Sequence, residues 1–277
     1  TIKQYADPVI GNKKLDEIDT DDILKILNPI WHTKTETASR LRGRIEWILA
    51  SATTRKLRTG LNPATWRGHL ETILPKPNKI KQEEHHKALP YQDIPEFIGK
   101  LKEKDGVAAL ALEFVILNAN RTGEVIGGLR SEVNTNGLWV IPKDRMKAHR
   151  EHRVPLGKRS LELLQIAKSL DPTSDYLFSY NSRPLSSMAI SMLLRRMGYT
   201  VTVHGFRSCF RDWVAEETIH SPEVAEKALA HAIANKVESA YRRGDLIEHR
   251  KRLMGDWENY CQTGLWGNVV ALERKAA

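Results

Sequence analysis

The sequence AALALEFVILNANRTGEVIGGLR, residues 108–130, carries an apolar run into a polar turn. Its first part is apolar on nearly every face, which predicts a buried helix over residues 106–119. Arg121 follows where this helix ends, and Glu124 comes three residues later, a spacing that brings two side chains to one face of a helical turn. The sequence thus places a guanidinium at the edge of its core and offers it a carboxylate as a brace.

The segments after this turn predict a small sheet and then helices. Short β-prone stretches alternate with turn signals, which indicates a small antiparallel three-stranded sheet. Helical periodicity then returns, so the predicted fold class is mainly α, an α+β arrangement in which most of the chain is helical. The predicted strands are GLRSEV (128–133), GLWVIP (137–142) and EHRVPL (151–156), and the predicted helices are SLELLQIAKSL (160–170), PLSSMAISMLLRRMG (184–198, capped by Gly198), HGFRSCFRDWVAEE (204–217), SPEVAEKALAH (221–231), NKVESAYRRGD (235–245) and LIEHRKRLMGDWENY (246–260).

Residues 1–80 predict helices only. One helix has an N-terminal cap at Asp19 and Thr20 and a stop at Asn28-Pro29, and a longer helix covers residues 36–57. The segment LPKPNKIKQEEHHKALP, residues 74–90, is rich in proline and charge and poor in apolar residues, which indicates a boundary. We therefore predict three parts: a helical domain over 1–80, a linker over 81–90 and a second domain over 91–277.

The charge and composition of the chain indicate which class of molecule it binds. The chain of 277 residues carries a formal net charge of +9 and a sequence pI near 9.5, which favours a polyanion, nucleic acid before acidic membrane, over an ordinary soluble basic protein. No apolar run approaches the roughly 20 residues of a membrane span, and the first residues lack the pattern of a secretory signal. Cys209 and Cys261 are too few for a disulfide framework or a zinc pattern, which favours a reducing cytoplasm.

Six polar residues stand where packing alone would not require them. Each has an ordinary structural explanation, such as an ion pair, a solvated lysine, a helix cap or a satisfied core side chain. Together they supply what attack on a phosphodiester needs without a metal: two arginines for the phosphate oxygens, a tyrosine nucleophile, a lysine that can protonate the leaving oxygen, and two histidines. The six residues are Arg121, Lys147, His204, Arg207, His231 and Tyr241.

A covalent phosphotyrosine would retain the energy of the broken bond, so no ATP is needed. The sequence has no glycine-rich phosphate loop, in agreement with this expectation. We accordingly predict neither a cofactor nor a metal.

The order RTGE … MKAHREHRVPL … HGFR … LAH … AYRRGD resembles the tyrosine recombinases, most closely their satellite-phage-type integrases. The segments YADPVIG, PIWHTKTETASRLRGRIEWIL, NPATW and HHKALPY extend the resemblance over essentially the whole chain. The resemblance implies site-specific DNA recombination, the integration or excision of a mobile element such as a prophage, through a covalent 3′-phosphotyrosine.

The resemblance also implies a role for each site residue. Tyr241 is the nucleophile, and Arg121 and Arg207 clamp the scissile phosphate. His204 helps to manage the proton and the phosphate, and His231 hydrogen-bonds the phosphate.

Further roles and partners follow from the same resemblance. Lys147 is the general acid toward the 5′-oxygen, and Glu124 supports the site. The 1–80 domain is a core-binding domain and the 91–277 domain is catalytic, and the two clamp double-stranded DNA. We expect a homotetramer on DNA, accessory host or directionality factors, and a cytoplasmic, nucleoid-associated bacterial protein. The expected DNA contacts are Lys34, Arg40, Arg42, Arg44, Arg145 and Arg242.

Two departures from the family pattern qualify this interpretation. Such integrases usually begin with a small domain that binds arm sites, to which nothing here corresponds, so we expect a truncated chain. Asn118 and Asn120 flank Arg121 where smaller or less polar residues are expected; we predict that they cap the helix rather than tune the site.

Three alternatives remain open at the level of sequence. A type IB topoisomerase would use the same chemistry as a monomer to nick and reseal one strand. A metal-dependent nuclease or transposase would need convergent carboxylates, for which Asp19, Asp21 and Asp22 are the candidates, although acids are usual at a helix start. A non-catalytic DNA-binding protein would retain the fold without the reaction.

Overall fold

The computed structural model of this chain describes residues 1–80, 87–231 and 244–266. The chain divides into two compact units, Thr1–His85 and His86–Ala277, and each has its own hydrophobic core. No helix in the described part is both long and apolar enough to cross a lipid bilayer.

The described residues are mainly helical, as the sequence predicted. Within residues 1–80, 87–231 and 244–266, the first unit has a short π-helix at Ile2–Ala6 and four α-helices, and the second has eight α-helices and two small antiparallel hairpins. The α-helices are α1 (Asp7–Ile10), α2 (Thr20–Trp31), α3 (Thr35–Thr54), α4 (Pro77–Ile80), α5 (Ile94–Lys102), α6 (Val107–Leu117), α7 (Thr122–Ile126), α8 (Lys158–Leu170), α9 (Ala189–Arg196), α10 (Gly205–Glu217), α11 (Pro222–Ala228) and α12 (Ile247–Thr263); the strands are β1 (Leu138–Ile141), β2 (His152–Pro155), β3 (Ser179–Tyr180) and β4 (Arg183–Pro184).

The predicted start of α2 is confirmed, and its predicted end is wrong. Asp19 is the N-cap: its carboxylate accepts the N–H of Asp22 at 2.9 Å, and the carboxylate of Asp22 accepts the N–H of Asp19 at 3.3 Å. The helix continues past Pro29 to Trp31. Trp31 is fully buried and stacks on Trp66 with ring centroids 5.7 Å apart, so packing holds the last turn despite the missing N–H of the proline.

In the described part of the second unit, the main sheet has two strands rather than the three predicted. β1 and β2 pair in antiparallel register, with Ile141 opposite His152. The predicted first strand instead forms a 3₁₀ turn at Arg130–Glu132, and Val133 reaches β1 only through an isolated bridge to Trp139. The Glu132 carboxylate accepts the N–H of Leu129 at 3.2 Å and the indole N–H of Trp139 at 2.9 Å, and this local bonding competes with strand formation.

The buried helix predicted from the opening sequence is present as α6, and it ends in an unusual turn. Ala119 adopts a left-handed conformation with φ of +48°. Its N–H bonds to the carbonyl of Ile116 at 3.2 Å, and the N–H of Asn120 bonds to that of Val115 at 3.3 Å. These two bonds form a Schellman motif, in which the left-handed position is usually glycine.

The end of α11 repeats this arrangement. Ala230 has φ of +50°, its N–H bonds to the carbonyl of Lys227 at 3.1 Å, and the N–H of His231 bonds to that of Glu226 at 3.0 Å. Two helices of the second unit therefore end in a left-handed alanine, a conformation that costs an L-residue roughly 1–2 kcal/mol.

We expect the substitution Ala119→Gly to raise the free energy of unfolding by up to about 1 kcal/mol, because glycine adopts the left-handed conformation without strain. Urea unfolding monitored by circular dichroism measures the change. The matched control is Ala111→Gly in the middle of α6, which should lower the free energy of unfolding by about 1 kcal/mol or more. Destabilisation of both variants to the same extent would contradict the strain at Ala119.

Candidate active site

Arg207 lies at the centre of a polar cluster in the second unit. It belongs to the first turn of α10, and its side chain is almost completely buried. One terminal nitrogen donates to the carbonyl of Ala119, and the other donates to the carbonyl of Leu229 at 2.6 Å. Since carbonyls at helix C-termini are unpaired within the helix and carry partial negative charge, they hold the guanidinium in a fixed orientation.

Arg121 and Glu124 form the ion pair that the sequence suggested. Arg121 is the N-cap residue of α7, and its Nη1 lies 2.8 Å from Oε1 of Glu124. The other oxygen of Glu124 accepts the backbone N–H of Arg121 at 2.9 Å. Burial acts to raise the pKa of Glu124, but the hydrogen bonds and charge of Arg121 outweigh it and hold that pKa below its ordinary value. Arg121 itself keeps 26% of its side chain exposed.

The two asparagines that flank Arg121 have different roles. Asn118 donates to the carbonyl of Phe114 at 2.9 Å and to the hydroxyl of Ser160 at 3.0 Å, so its predicted capping of α6 is confirmed. The same prediction for Asn120 is wrong, because its amide donates to Glu124 at 3.2 Å. The left-handed turn at Ala119 separates the two side chains, so that one faces the helix end and the other faces the site.

His231 joins the cluster from the end of α11. Its Nε2 is 3.2 Å from a terminal nitrogen of Arg207, and its Nδ1 is 2.6 Å from Oε2 of Glu226. The other oxygen of Glu226 accepts from Nε of Arg211 at 2.7 Å. Glu226 and Arg211 were not among the predicted site residues. The helix period does not bring Glu226 to a residue five positions later, whereas the left-handed turn at Ala230 does.

Arg121, Glu124, Arg207 and His231 therefore share one site. Burial lowers the pKa of Arg207 to about 10, and the nearby positive charge of Arg121 contributes to the shift. Arg207 still carries its charge at neutral pH, so the site holds two guanidinium groups within electrostatic range of each other. Such a pair is suited to a ligand with more than one negative charge.

His204 and Lys147 lie at the exposed margin of the described structure. His204 occupies the N-cap position of α10, three residues before Arg207, and forms no side-chain cap bond. Lys147 lies in the loop between β1 and β2, and within the described residues its side chain makes no hydrogen bond or ion pair. Tyr241 and Arg242 lie outside the described residues.

Arg145, for which we predicted a DNA contact, forms bonds within the protein. Its guanidinium contacts the carboxylate of Glu132 and donates to the backbone carbonyl of Glu124. Only 22% of its side chain is exposed. These bonds tie the loop that carries Lys147 to helix α7.

The remaining predicted DNA contacts lie in the first unit. Arg42 pairs with Glu46 at 2.5 Å and donates to the carbonyl of Ala64 at 2.8 Å, so this arginine too is largely occupied within the protein. Arg40 is exposed and pairs with Glu36, and Lys34 is exposed and donates to the hydroxyl of Tyr5 at 3.1 Å. Arg44 is exposed and has no side-chain partner in the part of the chain that the structure describes.

A buried histidine in β2 was also missed. His152 is 6% exposed, and burial together with the positive charge of Arg250 lowers its pKa from 6.5 to about 4. Arg207 and Glu124 also act on this pKa, so His152 lies near the site. The segment EHRVPL was interpreted only as a strand, and its alternation did not distinguish an inward-facing imidazole from an exposed one.

The fold matches that of solved lambda integrase structures. The crystal structure of a lambda integrase(75–356) dimer bound to a COC′ core site matches with a TM-score of 0.64, 17% sequence identity, and coverage of 83% of this chain and 85% of that chain. A lambda integrase tetramer bound to a Holliday junction matches with a TM-score of 0.59 and 18% identity, and covers 83% of this chain and 66% of that chain. At these identities the likeness establishes the fold.

The sequence comparison establishes the family. The pattern described as "Phage integrase family" matches residues 87–246, and the one described as "Phage integrase central domain" matches residues 1–69. The chain therefore belongs to the phage integrase family. Prophage integrase IntZ of Escherichia coli (strain K12) is 31% identical over 272 residues, which cover 96% of this chain. The chain spans 65% of the length of IntZ and 64% and 63% of two other curated relatives that it matches.

We expect the free energy of unfolding to fall as the pH falls from about 6.5 to about 4, because His152 is held unprotonated in the folded chain. The unfolded chain binds a proton at this histidine in that range and the folded chain does not, so the free energy of unfolding falls by roughly 3 kcal/mol. Urea unfolding of the wild type and of His152→Gln across pH 4–7 measures the effect, and the variant should lose this part of the pH dependence. His249→Gln, at an exposed histidine of α12, is the control and should retain it. Equal pH dependence in the wild type and His152→Gln would contradict the assignment.

Proposed function

We propose that this chain cuts and rejoins DNA strands in the site-specific recombination of a mobile element, through a covalent 3′-phosphotyrosine at Tyr241. The observation that carries the proposal is the preorganised cluster of Arg121, Arg207 and His231. Glu124 and two helix-end carbonyls hold its cations before any ligand arrives. Fixed cations in a largely buried site are the main means of stabilising charge that develops on a phosphate. Tyr241 follows His231 by ten residues in the sequence.

The proposed reaction is an exchange of one phosphodiester for another. The phenolic oxygen of Tyr241 attacks the phosphorus while Arg121 and Arg207 neutralise the non-bridging oxygens. The bond from phosphorus to the 5′-oxygen breaks, and Lys147 supplies the proton that this leaving oxygen needs. His231 contacts the phosphate, and His204 takes part in handling the phenolic proton. A 5′-hydroxyl of another strand then reverses the steps and releases the tyrosine.

The match of the first unit to the central-domain family supports separate roles for the two units. We propose that residues 1–80 form the core-binding domain, 81–90 the linker and 91–277 the catalytic domain, with double-stranded attachment-site DNA as the substrate. The likeness to a lambda integrase tetramer on a Holliday junction supports a homotetramer on DNA. We further propose action in the bacterial cytoplasm, at the nucleoid, with accessory or directionality factors.

The expected chemistry is tested by replacing the nucleophile. Tyr241→Phe should abolish covalent attachment to suicide DNA substrates, which are nicked so that the cut end diffuses away, and should leave DNA binding unchanged, because only the phenolic oxygen is removed. Denaturing gel electrophoresis measures attachment, and mobility shift measures binding. Tyr180→Phe, at an exposed tyrosine of β3, is the control and should attach normally.

Two results would oppose the proposal. Covalent attachment retained by Tyr241→Phe would exclude this residue as the nucleophile. Relaxation of supercoiled DNA with no recombinant product would favour the topoisomerase reaction.

A face of α3 supports DNA binding by the first unit. Arg40, Arg44 and Trp47 follow the spacing of one helical face, and Trp47 is 73% exposed. With Ile48 they line a shallow concavity. Cations beside an exposed aromatic ring suit a backbone of sugars and phosphates, because the cations meet phosphate and the ring meets the sugar or base.

We expect Arg44→Gln to weaken binding to all DNA sequences to a similar extent. If Arg44 contacts one phosphate, the slope of log affinity against log salt should become shallower by about one unit. Fluorescence anisotropy between low and moderate salt measures the slope. Lys25→Gln, at an exposed lysine of α2, is the matched control and should leave the slope unchanged. An unchanged slope in Arg44→Gln would remove this arginine from the interface.

A further inference from the structure

A network of four side chains joins α10 to the end of α11. Arg207 and Arg211 are four residues apart in α10, so both lie on one face of that helix. A terminal nitrogen of Arg207 lies 3.2 Å from Nε2 of His231, and Nε of Arg211 donates to Oε1 of Glu226 at 2.7 Å. The contact of 2.6 Å between Nδ1 of His231 and Oε2 of Glu226 completes the circuit. We refer to these four residues as the α10–α11 network.

The partners of His231 assign the position of its proton. A guanidinium has five N–H donors and no acceptor, so Nε2 of His231 can only accept from Arg207. The neutral imidazole must then carry its proton on Nδ1, where the carboxylate of Glu226 accepts it. The reverse tautomer would set an Nε2 proton against an N–H of Arg207 and leave Glu226 facing a lone pair. The two contacts therefore select the Nδ1–H tautomer.

The carboxylate of Glu226 is itself held at both oxygens. Oε2 accepts from His231, and Oε1 accepts from Arg211. The backbone supports the same pairing, because the left-handed turn at Ala230 lets the N–H of His231 bond to the carbonyl of Glu226 at 3.0 Å. The side chain of Arg211 is 64% exposed against 39% for His231, so water competes more strongly with the bond to Arg211.

One donor of Arg207 remains unpaired beside this network. Its two terminal nitrogens donate to the carbonyls of Ala119 and Leu229, and the second of them also contacts His231. Its Nε is buried and has no hydrogen-bond partner among the described residues. A buried donor without a partner is costly, and an anionic oxygen would satisfy it. The orientation of His231 therefore affects which N–H groups of Arg207 remain available to such an oxygen.

The bond between Nδ1 and Glu226 is retained when His231 changes its role. Nδ1 carries a proton both in the selected neutral tautomer and in the imidazolium. When Nε2 takes up a proton from water, it stops accepting from Arg207 and becomes a donor, as the proposed contact with phosphate requires. The imidazole keeps its orientation through this change, because Nδ1 still donates to Glu226.

We propose that Glu226 is a positioning residue that fixes the tautomer and the ring plane of His231, with Arg211 holding the Glu226 carboxylate. This inference rests on the proposed function, in which His231 contacts the scissile phosphate, and it adds two residues that do not touch the reacting atoms. Loss of the carboxylate lets the imidazole rotate and exchange tautomers, so Nε2 no longer meets Arg207 or the phosphate at a fixed angle. Carboxylates that orient a metal-binding histidine typically change affinity or activity about tenfold to a hundredfold, and an effect of this size is expected here.

The tautomer is measured directly by NMR, without DNA. In protein with isotope-labelled histidine, long-range nitrogen–proton correlations distinguish Nδ1–H from Nε2–H, and His231→Gln identifies the signals of this residue. At mildly alkaline pH, where an ordinary imidazole is neutral, wild-type His231 should show the Nδ1–H form. Glu226→Gln should show both forms, because an amide can accept from Nδ1 or donate to it. Glu226→Asp keeps the carboxylate and should retain the Nδ1–H form.

Rates of covalent attachment under single-turnover conditions, with DNA saturating, measure the effect on the reaction. Glu226→Gln should attach about tenfold to a hundredfold more slowly than the wild type, and Glu226→Asp should recover part of that loss. Arg211→Gln should cost less than about fivefold, because Arg211 is largely exposed. The DNA affinity of both Glu226 variants, measured by mobility shift, should stay within about threefold of the wild type, because Glu226 makes no proposed DNA contact.

A double-mutant cycle separates positioning from a general effect on the fold. In protein that already carries His231→Ala, Glu226→Gln should slow attachment by less than about twofold, because the side chain through which it acts is gone. A contribution to folding alone would be as large in that background as in the wild type. Glu223→Gln is the matched control, since it is another glutamate of α11 with 28% of its side chain exposed against 31% for Glu226. Glu223 lies 4.0 Å from Lys227, and this control should attach at the wild-type rate.

Three outcomes would overturn the inference. Wild-type His231 could carry its proton on Nε2, Glu226→Gln could attach at the wild-type rate, or the loss in Glu226→Gln could be undiminished in the His231→Ala background. Failure of the proposed function gives a different result, because wild-type protein would then attach no DNA, or Tyr241→Phe would attach as well as the wild type, whatever the tautomer of His231.

Discussion

The packing of the second unit depends on the hydrogen bonds that the buried guanidinium of Arg207 makes. Arg207 has left water almost completely, and an ion without partners in such a place costs several kcal/mol. Its partners are carbonyls at the ends of α6 and α11, which have no acceptor role inside their own helices. Three helices must therefore converge for one side chain to be tolerated. The same convergence brings Arg121 and His231 to that side chain, so the constraint that permits burial also assembles the site.

The two left-handed alanines explain how both helices can end at this point. Each turn reverses the backbone at once, so that a carbonyl faces Arg207 and the following residues, Asn120 and His231, face the site. Glycine would allow the same turn without strain, but it would give the backbone more conformational freedom in both the unfolded and the folded state. Strain held by surrounding packing is common where a site must be rigid, and both alanine turns lie against the buried Arg207.

Local rules predicted the elements of this fold better than the contacts between them. The apolar run of α6, the cap at Asp19 and the pairing of Arg121 with Glu124 depend on spacing within a few residues, which a sequence displays directly. The pairing of Glu226 with His231 depends on a left-handed turn between them, and alanine is not a residue that signals such a turn. The absence of the predicted first strand has a similar cause, since the Glu132 carboxylate accepts both the N–H of Leu129 and the indole N–H of Trp139, seven residues away.

Charge was the other property that the sequence displayed, and the structure shows why a count of cations overstates the basic surface. Several arginines are consumed in bonds to backbone carbonyls: Arg42 to Ala64, Arg58 to Leu61, Arg130 to Asp171, Arg145 to Glu124, Arg207 to Leu229 and Arg250 to Arg153. A guanidinium suits this use because its five donors are fixed in one plane, whereas a lysine has a single flexible ammonium group. These arginines join turns and helix ends inside each unit.

Attraction to a polyanion must then come from the cations that remain exposed, such as Arg44 and Lys147, and from the partly exposed Arg121. A basic composition therefore predicts the kind of partner, while the pattern of carbonyl acceptors decides which arginines are free to meet it.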